Sequence, residues 1–475
     1  MHIRKLLMSA AILATTASVS GFTTAATVPQ ADKVEARELL EELIPYRTAK
    51  GYGQLPAMIK VLEAKLKQAG FADEDIVRVP VMKDGEEVVG LIVRYAAAQP
   101  SKLKPVAFLA HMDVVDANPE NWETDPFQPT IKDGYLYGRG TMDNKYGVAL
   151  LVSTFANLKE AGFKPTRDIL LAFAGDEETG MLTTREIIKH PFVANAEFAL
   201  NSDAGSGTMT KDGKGTAFGM QAAEKTFATY TISATNPGGH SSIPKPDNAI
   251  YDLSRALLRV EALEFPVAFN EITRSMAKSL AKQKGGELGK ALTTLLKKPN
   301  NKAAIKAVRK HPGYSNMLWT TCVATMVKAG HVENALPQNA DGTVNCRILP
   351  GTSVADVQKI LQKQIDNDEL TVSIARGGVE SPASPLRDDV TAVLQKAVAL
   401  NYPGVTLQPS MSSGGTEGRE YRSVGISVYG AGSLALVRPD DSRMHGIDER
   451  VPLSSFYNEM DYWDYVIRSF GSVTE

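Results

Sequence analysis

Cysteine is nearly missing from this 475-residue chain: Cys322 and Cys346 are its only two. That is too few for a disulfide framework to organise the fold. An excess of one charge is missing too, since 52 Lys and Arg stand against 54 Asp and Glu. Without a basic surplus or stripe the sequence carries no nucleic-acid footprint. After residue 26 no apolar run approaches the ~18 residues that a membrane helix needs. Internal repeats and low-complexity tracts are lacking as well. What is present is ordinary globular material, 43% hydrophobic and 22% charged. This composition excludes a disordered or collagenous chain and leaves ample apolar mass for a large core. The length suits two or three domains.

The N-terminus stands apart. His2, Arg4 and Lys5 make a basic start, and residues 6–19 are apolar or small without a charge. Small residues follow through Thr23-Thr24-Ala25-Ala26. The stretch is short for a bilayer span and shows no polar face at helical period, but it suits a secretory signal. Residues 1–26 are therefore expected to be removed, near Ala26, from an exported protein, periplasmic or secreted. Export permits a disulfide. Cys322 and Cys346 lie in strand-like runs at 318–327 and 343–349. A hairpin centred near Asn334 would set them face to face; two separate buried thiols are the equal alternative.

Residues 31–44 and 55–69 carry apolar side chains at helical spacing, and Gly70 stops the second helix. Runs at 76–81, 88–95 and 106–110 read as strands. The last is short and unbroken, as a buried parallel strand should be. A helix at 144–161, a buried strand at 168–174, a helix at 183–189 and a strand from 198 continue the alternation. This pattern predicts an α/β sheet with helices on both faces. Near Gly219 the texture changes. A half-buried strand at 227–234, a helix at 246–261, a lysine-rich helical stretch at 265–311, strands at 318 and 343, a helix at 354–366 and a strand at 370–375 make a small α+β block. A helix at 388–400 and a strand at 425–430 then resume the first pattern. The expected organisation is a sheet domain in two parts, 27–219 and 379–475, interrupted by a domain at 220–378 with a helical insertion.

The chemistry-bearing residues fall at strand ends, where open α/β sheets bind ligands. His111-Met112-Asp113 follows a buried strand, which suits a metal-ligating imidazole with an acid to orient it. Gly138-Arg139-Gly140-Thr141-Met142-Asp143 leads into a helix. Taken alone, Asp143 there reads first as an N-cap. Asp176-Glu177-Glu178 crowds three acids at another strand end, where they repel one another unless a cation compensates them. Asn201-Ser202-Asp203 adds a carboxylate, and Met444-His445-Gly446 a second imidazole. Together these supply nitrogen and oxygen donors suited to Zn²⁺ and tolerable for Mn²⁺ or Co²⁺, in numbers enough for two ions. His190, His311 and His331 fit no such pattern and read as surface residues.

The ordered segments AHMDVV, GRGTMDNK, DEETG, SDAG and MHGIDERV resemble those of the di-zinc exopeptidase and aminoacylase family, which includes carboxypeptidases, aminoacylases and bacterial dipeptidases. The resemblance implies a mixed-sheet zinc exopeptidase-type catalytic domain interrupted by a smaller lid or dimerisation domain. It implies two Zn²⁺ per subunit, one on His111 and Asp203, the other on Glu178 and His445, with Asp143 bridging both. It further implies Glu177 as general base on a water between the metals, Asp113 as orienter of His111, and a cis peptide at Asp143–Asn144. His240, in NPGGHSS, matches the family's oxyanion-stabilising residue. Asn334 and Arg347 match positions that grip a substrate carboxylate, which an arginine does with two parallel hydrogen bonds. Gly414 and Gly415 match a glycine loop near the substrate. Many relatives carry Asp where this chain has Glu417, whose role stays open.

The implied activity is hydrolysis of a peptide or amide bond beside a free C-terminal carboxylate. Carboxypeptidase or dipeptidase action is one version, and cleavage of N-acyl amino acids the alternative. An inactive metal- or peptide-binding protein is disfavoured because the general base is kept. In many relatives the lid histidine comes from a partner subunit, so a homodimer through the lid and a self-closing monomer both remain open.

Overall fold

Two unbroken apolar runs, Val106–His111 and Ile169–Ala174, pair in parallel at the centre of the molecule. All twelve of their residues are buried. The structure, a computed structural model, describes residues 27–473, so the expected signal peptide at 1–26 lies outside the described residues. The two central strands belong to an eight-stranded sheet. From one edge its order is Ile76–Lys83, Glu86–Tyr95, Ile169–Ala174, Val106–His111, Phe198–Met209, Ser427–Leu436, Gly215–Glu224 and Leu407–Ser412. Parallel and antiparallel pairs are mixed, as the fold class expected.

Side chains alternate across the strands, and here both faces are covered. Val106, Phe108 and Ala110 join one core, whereas Ala107 and Leu109 join another. Helices Gln30–Leu43, Leu55–Gln68, Lys145–Glu160 and Leu453–Gly471 supply the first core; Leu182–Ile187 and Gly418–Ser423 supply the second. Phe108 meets Trp463 of the C-terminal helix edge to face, with centroids 5.9 Å apart. That contact ties the last part of the chain to the first, and truncating a buried ring of this kind costs about 3–5 kcal/mol.

The interrupting segment builds its own antiparallel sheet in the order Thr321–Ala329, Asn339–Ile348, Thr226–Thr235, Thr371–Arg376. Helices Ala249–Glu261 and Val354–Ile365 pack on it. The Gly215–Glu224 strand, which straddles the texture change at Gly219, stays in the large sheet, and the chain changes sheets at Lys225. Cys322 pairs with Cys346 in register, and the two sulfurs are bonded. Of the two alternatives open in the sequence, the hairpin holds. The lysine-rich stretch forms helices Glu271–Lys284, Gly286–Lys297 and Lys302–Arg309. The first of these docks on Leu407–Ser412, the edge strand of the large sheet. A third sheet is small but matters for the site. Its strands Arg450–Pro452 and Tyr135–Tyr137 pair, which brings the segments around His445 and Asp143 side by side.

A cluster of imidazoles and carboxylates at the sheet edge

His111 ends its strand with its side chain 1% exposed. Its Nδ1 lies 2.9 Å from the main-chain carbonyl of Asp113, an acceptor only. Nδ1 is therefore the donor, and Nε2 is left facing Asp143 Oδ1 at 2.8 Å and Asp203 Oδ1 at 3.6 Å. The expected orientation of His111 thus comes chiefly from the backbone of Asp113, whose carboxylate stands 3.5 Å from Nδ1. That carboxylate does something further: it accepts the main-chain N–H groups of Glu177 and Glu178, each at 3.0 Å. It pins the acidic turn beside the imidazole.

Asp143 presents its two oxygens to two histidines. Oδ1 faces His111, and Oδ2 lies 3.0 Å from His445 Nε2. The same His445 nitrogen is 3.0 Å from Glu178 Oε1. The Asp143–Asn144 peptide is cis. The Asn144 amide donates to Asp203 Oδ1 at 3.1 Å and accepts from Ser202 at 3.1 Å, which steadies the Asp203 carboxylate. Donor atoms of His111, Asp143 and Asp203 lie within 4.8 Å of one another, as do those of Asp143, Glu178 and His445. Asp143 is common to both sets. Glu177 groups with His111 and Glu178, and also with Asp203 and Glu417.

So many acceptors converging in a buried place need positive charge between them. The crowding also shifts the proton affinities of the groups. Burial pulls the His111 imidazole down, but Asp203, Asp113 and Asp143 overcome it and hold it well above its ordinary range. Burial would raise Asp143, yet His111 and His445 keep it well below the usual carboxylate range. Hydrogen bonds to Asp143 and Glu178 push His445 up to about 10. Burial, reinforced by neighbouring carboxylates, raises Asp203 to about 6, Glu417 to about 8 and Glu177 well above its usual range. Buried Glu417 accepts from Asn201 at 2.9 Å through Oε2, while its Oε1 has no hydrogen-bond partner among the described residues. The donor set, nitrogen and carboxylate oxygen around a shared aspartate, is the chemistry of a two-ion divalent site.

Two residues of the sequence motifs hold this cluster together and were given no role there. Glu449 is fully buried, and its Oε1 accepts the N–H groups of Met142 at 2.7 Å and Asp143 at 3.1 Å. Its other oxygen pairs with Arg139, whose guanidinium also donates to the Gly446 carbonyl at 2.9 Å. One buried ion pair thereby links the backbone at Asp143 to the backbone beside His445. Lys145, also fully buried, donates to the carbonyls of Leu43, Ile44 and Tyr46 and so caps the first helix. Asp176, the first of the three adjacent acids, faces away from the cluster. It accepts from the Leu182 and Thr183 N–H groups at the start of a helix. Local sequence does not single these residues out, since Glu449 lies between Asp448 and Arg450, Arg139 between two glycines and Asp176 before two further acids, and only the fold shows their partners.

The lid residues sit elsewhere. His240 is exposed on a two-residue strand paired with Ala335–Leu336, and its Nδ1 contacts the Ser242 hydroxyl at 2.8 Å. The Asn334 carbonyl accepts the neighbouring Ser241 N–H at 3.0 Å. Among the described residues no hydrogen bond joins either to the cluster. Arg347 reaches from the lid to the Ser413 carbonyl at 3.0 Å, immediately before Gly414 and Gly415. At Gly415 an added Cβ would come within 2.7 Å of the Arg419 guanidinium. His311 and His331 are exposed as expected, whereas His190 is half-buried against Phe192.

A sequence model described as Peptidase family M20/M25/M40 matches residues 107–469. The chain is 29% identical over 360 residues to the N-fatty-acyl-amino acid synthase/hydrolase PM20D1 of Xenopus tropicalis, covering 74% of this chain and 69% of that protein. It is 27% identical to a probable carboxypeptidase S-like 2 of Dictyostelium discoideum, over 77% of this chain and 72% of the relative. Among solved structures, the dipeptidase Dug1p of Saccharomyces cerevisiae aligns with a TM-score of 0.65 at 18% identity, over 94% of this chain and 98% of that one. The YXEP protein of Bacillus subtilis, described as a dinuclear metal-binding peptidase, aligns with a TM-score of 0.57 at 12% identity, over 93% and 98%. At such identities the two structures show a shared fold.

Proposed function

Because this chain belongs to the peptidase family M20/M25/M40 and is a hydrolase, we propose that it is an exported, zinc-dependent exopeptidase cutting the amide bond next to a free C-terminal carboxylate. His111, Asp143 and Asp203 would hold one divalent ion, and Asp143, Glu178 and His445 the other, with Co²⁺ or Mn²⁺ as substitutes. When bound, such a pair polarises an amide carbonyl and makes water acidic enough to ionise near neutral pH.

The remaining work belongs to the protein. Glu177, held against the cluster by the Asp113 carboxylate under its main chain, takes the proton that water gives up and hands it to the leaving nitrogen. Its proton affinity, raised by burial and by neighbouring carboxylates, supports that role, because a group that holds a proton more tightly is better able to carry it from the water to the leaving nitrogen. Arg347 and Asn334 receive the carboxylate, and the lid closes to bring His240 to the developing oxyanion. The observation that carries the reading is the Asp143 carboxylate divided between two histidines, each backed by a further acid.

The test is a hydrolysis assay of dipeptides with zinc-loaded enzyme. Chelation should silence it and Zn²⁺ restore it, and Glu177→Ala should keep both metals while losing at least ~10²-fold in rate. Indifference to chelator, or full activity in Glu177→Ala, overturns the proposal. A second reading, hydrolysis of N-acyl amino acids, is favoured by the similarity to the acyl-amino acid hydrolase; N-acyl substrates in the same assay decide between them. The bonded cysteine pair supports export.

The lid also supports a homodimer. Its edge strand Thr321–Ala329 has a partner on one side only among the described residues. On it Val323, Met326 and Val327 are between 60 and 69% exposed, and Tyr251 and Leu258 of the adjoining helix are 58 and 64% exposed. Such a long apolar edge calls for cover.

A further inference from the structure

A groove of about 1230 Å³ runs between the helical insertion of the lid and the edge of the large sheet. Its two walls are joined by specific contacts: Ser279 on the Glu271–Lys284 helix donates to Gln408 at 2.9 Å, and the Met411 N–H points at Met276 Sδ at 3.1 Å. The apolar lining includes Phe218 from the sheet, Met276 and Leu280 from the insertion, and Met317 just after it. Phe218 lies over Gly207, where a Cβ would come within 2.3 Å of the ring, so the floor is made by a close approach that only glycine allows. Three cations, Lys214, Lys225 and Lys282, also line the groove, and none of its lining residues is acidic.

Ser412 and Ser413 are among the residues that line the groove. Arg347 reaches across at this place, because the Ser413 carbonyl accepts its guanidinium. From there the chain turns through Gly414 and Gly415 to Thr416, which bonds to buried Glu224, and to Glu417, beside Glu177 and Asp203. The groove therefore opens next to the carboxylate clamp, on the side of the substrate that carries the carboxylate.

We infer that this groove receives the side chain of the C-terminal residue, the amino acid released by hydrolysis, and selects large apolar side chains while rejecting basic ones. The inference rests on the proposed carboxylate clamp at Arg347. Apolar walls reward each buried methylene by about fourfold. With no acid in the lining, these lysines repel a second cation, which is discrimination by charge. The leaving residue is common to peptide and N-acyl substrates, so the specificity holds whichever acyl group is preferred.

The experiment is a panel of substrates with one acyl side and C-terminal Gly, Leu, Phe or Lys, each as a dipeptide and as an N-acetyl amino acid, run with the zinc-loaded full chain. The wild type should turn over Leu and Phe at least about tenfold faster in kcat/KM than Gly, with Lys slowest. Leu280→Asp should raise the Lys-to-Leu ratio of kcat/KM by about tenfold. Lys282→Glu, at an exposed position that the fold does not depend on, should move the ratio the same way by a smaller factor. An active enzyme with a flat ranking, or a ratio unmoved by both substitutions, overturns the groove assignment and leaves the hydrolase reading intact. Failure to cut any member of the panel takes down the exopeptidase reading, and the groove assignment with it.

Discussion

Asp143 and Glu449 divide the labour of the site at the level of single residues. Asp143 faces two histidines, while Glu449 never approaches them and instead holds the backbone on which Asp143 stands. The consequence can be measured. Glu449→Gln keeps the size of the side chain but leaves Arg139 buried without its counter-charge, a loss of about 3–5 kcal/mol when one member of such a pair goes. Because the pair ties the Asp143 backbone to the carbonyl beside His445, both ions should bind about 10–100-fold more weakly. Competition against a chromophoric chelator reads this directly, without an assay of turnover. Unchanged affinity would show that the pair serves stability alone.

Among the elements, the C-terminal helix Leu453–Gly471 carries an ionisable group into the core. Glu459 is fully buried and accepts the Ser433 N–H at 2.9 Å, and burial pushes it up to about 8. Its ordinary value is near 4.3 when the chain is unfolded. A pKa raised by folding means that the native state binds the extra proton between those two values. Stability is therefore fully present below about pH 4.3 and drains away as the pH rises towards 8. Glu459→Gln, which cannot ionise, should remove this decline. The difference in Tm between variant and wild type, followed by calorimetry, should move in favour of the variant from pH 5 to pH 8; a constant difference would mean that the carboxyl is not neutral in the core.

Over the whole molecule, the lid is joined to the large sheet by a few specific contacts. The lid reaches the large sheet through Arg347 at Ser413, through Lys225 at the Trp319 carbonyl and through the insertion on the Leu407–Ser412 strand. Its far face, with Val323, Met326 and Val327 on the edge strand, is left bare. If a second copy covers that face, Val327→Lys should turn a dimer into a monomer in light scattering at micromolar concentration, because a charge on an exposed edge opposes pairing. A wild type that is monomeric at every concentration would remove the dimer and leave lid closure within one chain.

Much of this protein is written in local sequence. The central strands are legible because six-residue apolar runs bounded by polar turns can only be buried, and the donor residues are legible because they follow those runs directly. His111 after VAFLA and Glu177-Glu178 after ILLAFAGD needed no fold to be noticed. The cysteine register was one of two readings that the sequence left open, the hairpin centred near Asn334, and the packed lid sheet decides for it. Pairings between distant segments were beyond its reach. That Asp113 anchors the acidic turn, that Glu449 and Arg139 hold both halves of the site, and that the lid insertion walls a groove on the edge strand all depend on which surfaces meet. Periodicity and spacing report what one segment wants to bury. Only the packed chain decides what it is buried against, because that choice is made by long-range contacts whose partners lie far apart along the chain.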